Sequence, residues 1–250
     1  MKFVRFRDEA GWIRQAWDDG GTLRETEGDW FGSWQETGRT FRLDEVKLMA
    51  PLVPGSIIGI AYNYAPNGQV KPDRPEMPVF FLKPGSTVIG PEEPIHIPSV
   101  LEEVKFESEL VAVIGKTAHN VDESEALEYV FGYTIGNDVT AQQLFHPSGP
   151  WLLGKCSDTF MPLGPAIVTD LQLEQVRVQS RLDGQLKQDA PLERMILDIA
   201  GQIAYLSRLM TLRPGDILLT GAPDGAGMMR RGSTLECSIE AIGRLNNPVR

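Results

Sequence analysis

A chain of 250 residues, 42% apolar and 23% charged, has the composition of a globular protein with one substantial core and room for a small appendage. Its net charge of −10 leaves no excess of lysine and arginine to neutralise phosphates, which argues against a nucleic-acid partner. No stretch approaches the roughly 18 continuous apolar residues of a membrane span. Residues 1–8 lack the apolar centre of a secretory signal, and Cys156 and Cys237 form no disulfide framework, so the expectation is a cytoplasmic protein off the membrane.

The first 50 residues read differently from the rest. Lys2-Phe3-Val4-Arg5-Phe6 alternates like a half-buried strand, and Asp19-Gly20-Gly21 and Glu27-Gly28-Asp29 read as turns. Pro51-Leu52-Val53-Pro54-Gly55 then punctuates the chain, either as a linker or as a loop within one domain. The natural division is a small N-terminal region, 1–54, and a main domain, 55–250.

Short β-prone runs follow at 56–62, 78–82, 104–114, 132–136 and 217–220. Asp122 with Glu125 forms a capping-box pattern that predicts a helix to about Val130. Leu192, Met195, Ile196, Ile199, Ile203, Leu206 and Met210 share one helical face and predict a helix over 191–210. Arg213-Pro214-Gly215-Asp216 has Pro and Gly in the order of a type II turn. Many strands with two helices indicate a mixed α+β, β-rich fold rather than a doubly wound parallel sheet.

Glu107 and Glu109 are two apart, and on one strand they would share a face about 7 Å apart. An isolated Glu-x-Glu is ordinarily a solvated face. The apolar run at 110–114 points instead to burial, where acids need positive partners. Asp138, ending the run Tyr133-Thr134-Ile135-Gly136-Asn137, supplies a third carboxylate, unless Asn137-Asp138 merely caps a turn. Three carboxylates suit Mg²⁺ or Mn²⁺, and the sequence has no cysteine or histidine spacing for zinc. Lys155 lies in a polar break and reads as a surface lysine or an anchor for a substrate carboxylate. The loop Thr220-Gly221-Ala222-Pro223-Asp224-Gly225-Ala226-Gly227 matches no nucleotide pattern, but its N–H groups could cradle an anion. His96, His119 and His146 are scattered, with no nucleophile signature nearby.

These blocks resemble the fumarylacetoacetate hydrolase family from about Ser56 onward. The residues carrying the resemblance are Gly59-Ile60-Ala61-Tyr62-Asn63-Tyr64, Phe80-Phe81-Leu82-Lys83-Pro84, Phe106-Glu107-Ser108-Glu109-Leu110 and Gly132-Tyr133-Thr134 with Asn137-Asp138. Lys155, Asp183-Gly184, Thr211-Leu212-Arg213-Pro214-Gly215-Asp216, Thr220-Gly221-Ala222-Pro223 and Gly243-Arg244-Leu245-Asn246-Asn247 continue it. The resemblance implies a mixed-sheet β-roll with a few flanking helices, usually dimeric, with Mg²⁺ or Mn²⁺ at Glu107, Glu109 and Asp138. It implies that Lys155 and Glu107 take part in catalysis and that Tyr64, Lys83, Thr220 and Gly221 contact a small oxo-diacid.

Two departures bear on the reaction. Hydrolytic members carry a histidine where Asn67 stands, and asparagine is no base near neutral pH. Gln142 stands where the family often has an arginine, which removes a fork for carboxylate. A lost water-activating base favours decarboxylation or tautomerisation, where a metal serves as electron sink. The expectation is therefore an isomerase/decarboxylase of 2-oxo or 2-hydroxy-dienoic diacids, as in homoprotocatechuate breakdown. Hydrolysis of acylpyruvates using Lys71 or Glu76, decarboxylation of oxaloacetate, and a non-catalytic family subunit are the alternatives.

Overall fold

The strand Ser108–Ile114 is buried at every position. Leu110, Ala112 and Ile114 point into one apolar cluster, whereas Val111 and Val113 point into another, as the two-residue period of a strand requires. A strand covered on both faces reads as a continuous apolar run. Each large side chain so placed contributes roughly 1.5–3 kcal/mol by leaving water.

The computed structural model describes residues 1–146 and 149–250. Ser108–Ile114 lies within a 12-stranded mixed sheet, and strand makes up 44% of the molecule. On one side it pairs antiparallel with Val130–Asn137, which pairs in turn with Met161–Val168. On the other it pairs antiparallel with Ile217–Leu219, which runs parallel to Ile57–Ile60, and Phe80–Lys83 ends that side. The N-terminal strands Lys2–Arg7, Ile13–Asp19, Thr22–Gly28 and Trp34–Arg42 form a meander whose first strand pairs with Met161–Val168, so they extend the same sheet. A four-stranded sheet lays Val178, Leu235, Ile239 and Leu245 into the cluster of Leu110.

Both predicted helices differ from expectation, for identifiable reasons. The capping box at Asp122 yields only a 3-10 turn, Ala126–Tyr129. The Tyr129 carbonyl accepts from Gly115 N–H, and the chain leaves at once into the strand Val130–Asn137. The second helix is Ile199–Ser207, capped by Asp198, whose Oδ1 accepts from Gly201 N–H at 2.8 Å. Upstream, Ile196 N–H donates to the Asn63 carbonyl at 2.7 Å and Leu197 N–H to Asn63 Oδ1 at 2.8 Å. Those tertiary bonds take backbone groups that a longer helix would need. The turn at 213–216 forms as expected, with Gly215 at φ +85° and Asp216 N–H donating to Arg213 O.

The meander carries its own buried acid. Burial works to raise the Glu25 carboxyl, but hydrogen bonds from Thr37, Arg14 and Arg39 outweigh it and hold it below the ordinary value of 4.5. A depressed carboxyl contributes stability above its unfolded value and loses it as pH falls through the folded one. Glu25→Gln is therefore expected to cost about 1–3 kcal/mol near neutral pH. The gap to the parent protein will close as pH drops below 4.5. Unfolding midpoints from pH 3 to 7 test this, and a gap that does not change with pH would refute it.

Candidate active site and cation site

Ile57–Ile60 and Ile217–Leu219 run parallel, so their carboxyl ends and the loops that follow emerge together. Ser108 starts its strand at the same edge and faces Asn137, which ends its own. These four chain segments and the short helix Leu152–Lys155 thus deliver side chains to one place, a cavity of about 490 Å³ whose lining includes Tyr64, Glu107, Glu109, Asp138 and Lys155.

Glu107 does not continue the strand. It interrupts the apolar run between the strands Glu103–Phe106 and Ser108–Ile114. Asn137 and Asp138 hold that break: Glu107 N–H donates to Asn137 Oδ1 at 2.9 Å, and Asp138 N–H donates to the Glu107 carbonyl at 2.9 Å. Asn137 is therefore a cap, and it caps the turn that presents Glu107 beside Asp138.

The carboxylates differ in their partners. Asp138 is buried between two ammonium groups, with Lys83 Nζ at 2.7 Å from Oδ1 and Lys155 Nζ against Oδ2. Burial opposes its ionisation, but Lys155 and Lys83 prevail and hold the carboxyl below the usual range. Glu107 is half-buried and meets Lys105 at 2.8 Å and Lys155 at 3.0 Å. Glu109 is only 2% exposed and receives one hydrogen bond, from Gly221 N–H at 2.6 Å. Burial, and then the negative charges of Asp138 and Glu107, push its carboxyl well above the ordinary value.

The donor set suits a hard cation. Among the described residues no three acid, histidine or cysteine side chains are gathered around one point as they stand. The space between Glu107 and Asp138 is spanned by the Lys155 ammonium, which also lies 2.8 Å from Thr140 Oγ1. Yet all three carboxylates face the cavity, and Glu109 lacks a counter-charge of its own. An all-oxygen set with an uncompensated buried acid fits Mg²⁺ or Mn²⁺.

Thr220 and Gly221, expected at the substrate, hold the strand that carries Glu109. Thr220 Oγ1 donates to the Leu110 carbonyl at 2.8 Å and Gly221 N–H to Glu109, so they fix the acid instead of facing the cavity. Residues 222–226 of the same loop do line it. Tyr64 lines the cavity with a buried hydroxyl that has no hydrogen-bond partner. Burial, and then the charge of Glu109, raise its pKa, so it keeps its proton. Lys83 is fully buried and reaches Asp138 rather than the open cavity. Lys71 is tethered to the carbonyls of Glu193 and Met195, and neither it nor Glu76 nor any of the three histidines is part of the lining.

Four contributors escape a reading by motif. Lys105 pairs with Glu107, Thr140 contacts Glu107 and Lys155, Asp224 of the glycine-rich loop lines the cavity, and an aromatic group centred on Trp151 lines it too. Lys105 had a signal, since its side chain lies two residues before Glu107 on an extended segment. The aromatic residues come from three separate segments, and only the folded chain collects them.

The β-rich scaffold gathers acids and lysines in one cavity at a sheet edge. The chain belongs to the fumarylacetoacetate hydrolase family: residues 56–250 match the family model described as fumarylacetoacetate (FAA) hydrolase C-terminal, and residues 1–51 match Rv2993c-like, N-terminal. It is similar to oxaloacetate tautomerase fahd2, mitochondrial, of Xenopus laevis, 38% identical over 82% of this chain and 68% of that protein. It is similar in structure to the 5-carboxymethyl-2-hydroxymuconate delta-isomerase of Mycobacterium smegmatis, with TM-score 0.92, 38% identity, and coverage of 100% and 99%. A maleylpyruvate hydrolase from Sphingobium sp. SYK-6, solved with manganese(II) and pyruvate, matches with TM-score 0.82, 29% identity, and coverage of 100% and 98%. No helix among the described residues is long and apolar enough to cross a membrane.

Proposed function

We propose that the protein is a divalent-metal-dependent isomerase or decarboxylase of 2-oxo acids and their 2-hydroxy-dienoate enols, with Glu107, Glu109 and Asp138 as metal ligands. The observation that carries this reading is the convergence of those three carboxylates and Lys155 on one cavity. A bound Mg²⁺ or Mn²⁺ supplies the Lewis acidity that favours negative charge on a substrate oxygen. The chain supplies the remainder. Lys155 keeps its proton, because Asp138 and Glu107 outweigh the effect of burial on it. Its three N–H groups are engaged by Glu107, Asp138 and Thr140, so it serves a substrate oxygen by exchanging one of those contacts for it. Tyr64 offers an unpartnered O–H from the cavity wall. Asn67 supplies no base: its backbone N–H donates to Asp224 at 2.5 Å, and its side chain is not part of the lining.

Related proteins named as an oxaloacetate tautomerase and a hydroxymuconate isomerase support proton transfer next to a carbonyl over hydrolysis. Exposed Leu82, Leu152 and Leu153 support a homodimer as the working unit, which the mass in solution tests. A metal-supplemented panel of oxo acids, followed by Glu107→Gln, tests the reaction. The variant is expected to lose metal affinity by at least the ~10–100-fold that removal of an outer-shell partner costs, together with turnover. Retention of both would sink the assignment.

A further inference from the structure

We propose that the cavity selects 2-oxo acids with a neutral, apolar tail, preferably planar, and discriminates against a second carboxylate. The inference rests on the reading above in one respect: the oxo-acid end is placed at the three carboxylates and Lys155. The tail must then lie along the rest of the cavity, toward its mouth.

The wall there is aromatic. Trp151 stacks on Phe145 with ring centres 5.4 Å apart and planes 13° apart. Tyr62 meets Trp151 edge-on at 5.9 Å, and Phe81 lies tilted at 6.4 Å. All four rings line the cavity, and Ile60, Ile196 and Pro66 add aliphatic surface. Such a wall offers dispersion and quadrupole contacts to a flat apolar group, and to a carboxylate only the neutral donors of Tyr62 and Trp151, with no charge to match its own.

Charge points the same way. Among the described residues lining the cavity the cations are Lys105 and Lys155, and both are already paired with Glu107 or Asp138. Two further cations lie near the loop at 65–71, but neither belongs to the cavity lining. Arg194 donates to the carbonyls of Ala65, Pro66 and Gln69, and Lys71 to those of Glu193 and Met195. Apart from the Tyr62 O–H and the Trp151 N–H, the polar side chains left for a tail are Gln142 and the anion Asp224. Within the described lining a distal carboxylate would lose its water, meet no ammonium free of an acid partner, and face a like charge. The diacid expected from the family resemblance therefore lacks its second anchor here.

The test is binding of phenylpyruvate and 2-oxoglutarate to the full chain with Mg²⁺, followed by titration calorimetry and by tryptophan fluorescence. Phenylpyruvate is expected to bind at least about tenfold tighter, the ratio that one aromatic contact of about 1.4 kcal/mol supplies. Trp151→Ala should erase most of that ratio. Gln142→Arg, a substitution at an exposed position, should shift it toward 2-oxoglutarate whether or not the tryptophan variant folds. Equal affinities, tighter binding of the diacid, or binding of neither acid would overturn the inference. Turnover is a separate readout: if Glu107→Gln stays active while the tail preference holds, the reaction assignment fails and the selectivity stands.

Discussion

Lys155→Met is expected to destabilise the metal-free protein by about 3–5 kcal/mol, the cost of leaving a buried charge without its partner. Lys155 Nζ touches Asp138, lies 3.0 Å from Glu107 and 2.8 Å from Thr140, and sits 4.5 Å over the Phe81 ring. Methionine fills similar volume but removes the one positive charge shared by Asp138 and Glu107. Lys83 and Lys105 then remain, each bound to a single carboxylate. Glu109, already pushed toward its neutral form, gains nothing from either contact. Urea unfolding in EDTA will show the loss, and an unchanged midpoint would contradict it. Mg²⁺ should recover more stability in the variant than in the parent protein, because a cation bound to the folded state stabilises it by mass action and no longer shares the site with an ammonium. Turnover should fall about 10²–10³-fold even with saturating metal, the usual cost of one lost donor at a developing oxyanion.

The double role of Lys155 illustrates what a sequence can and cannot disclose. The apolar run at 110–114, the turn at 213–216 and the strand character of the N-terminal segment were legible because each depends on local period or turn chemistry. The three carboxylates were legible through their apolar flank and through the family's ordered blocks. The geometry that joins them was not, because Glu107 leaves the strand under the control of Asn137, 30 residues away. Helix length failed for a related reason. The periodic face over 191–210 is real at Ile199, Ile203 and Leu206, but Asn63 captures the backbone at 196 and 197. The bonds that Thr220 and Gly221 make were not legible, since the carbonyl of Leu110 and the carboxylate of Glu109 come from a distant strand.

Asn63→Ala is expected to cost about 2–6 kcal/mol, because the Leu197 N–H and the Thr220 carbonyl lose their partner at about 1–3 kcal/mol each, while the Leu197 carbonyl keeps its second donor, Gln202 Nε2. Asn63 Nδ2 donates to the carbonyls of Leu197 at 2.9 Å and Thr220 at 2.8 Å, while its Oδ1 accepts from Leu197 N–H at 2.8 Å. One amide thus ties the loop after Ile57–Ile60 to the loop after Ile217–Leu219 and to the start of the helix Ile199–Ser207. Asp at this position would keep the acceptor for Leu197 N–H but set a carboxylate oxygen against two carbonyls, so Asn63→Asp should be nearly as damaging. The loop so anchored carries Tyr62 and Tyr64 to the cavity, hence the fraction that still folds should also show raised KM. Asn67→Ala is the control: only its backbone N–H is engaged, with Asp224, and the change should stay within about 0.5 kcal/mol. If denaturant unfolding found the two alanine variants equally stable, the bridging role of Asn63 would be wrong, and the convergence of the two parallel strands would have to hold the cavity open by backbone pairing alone.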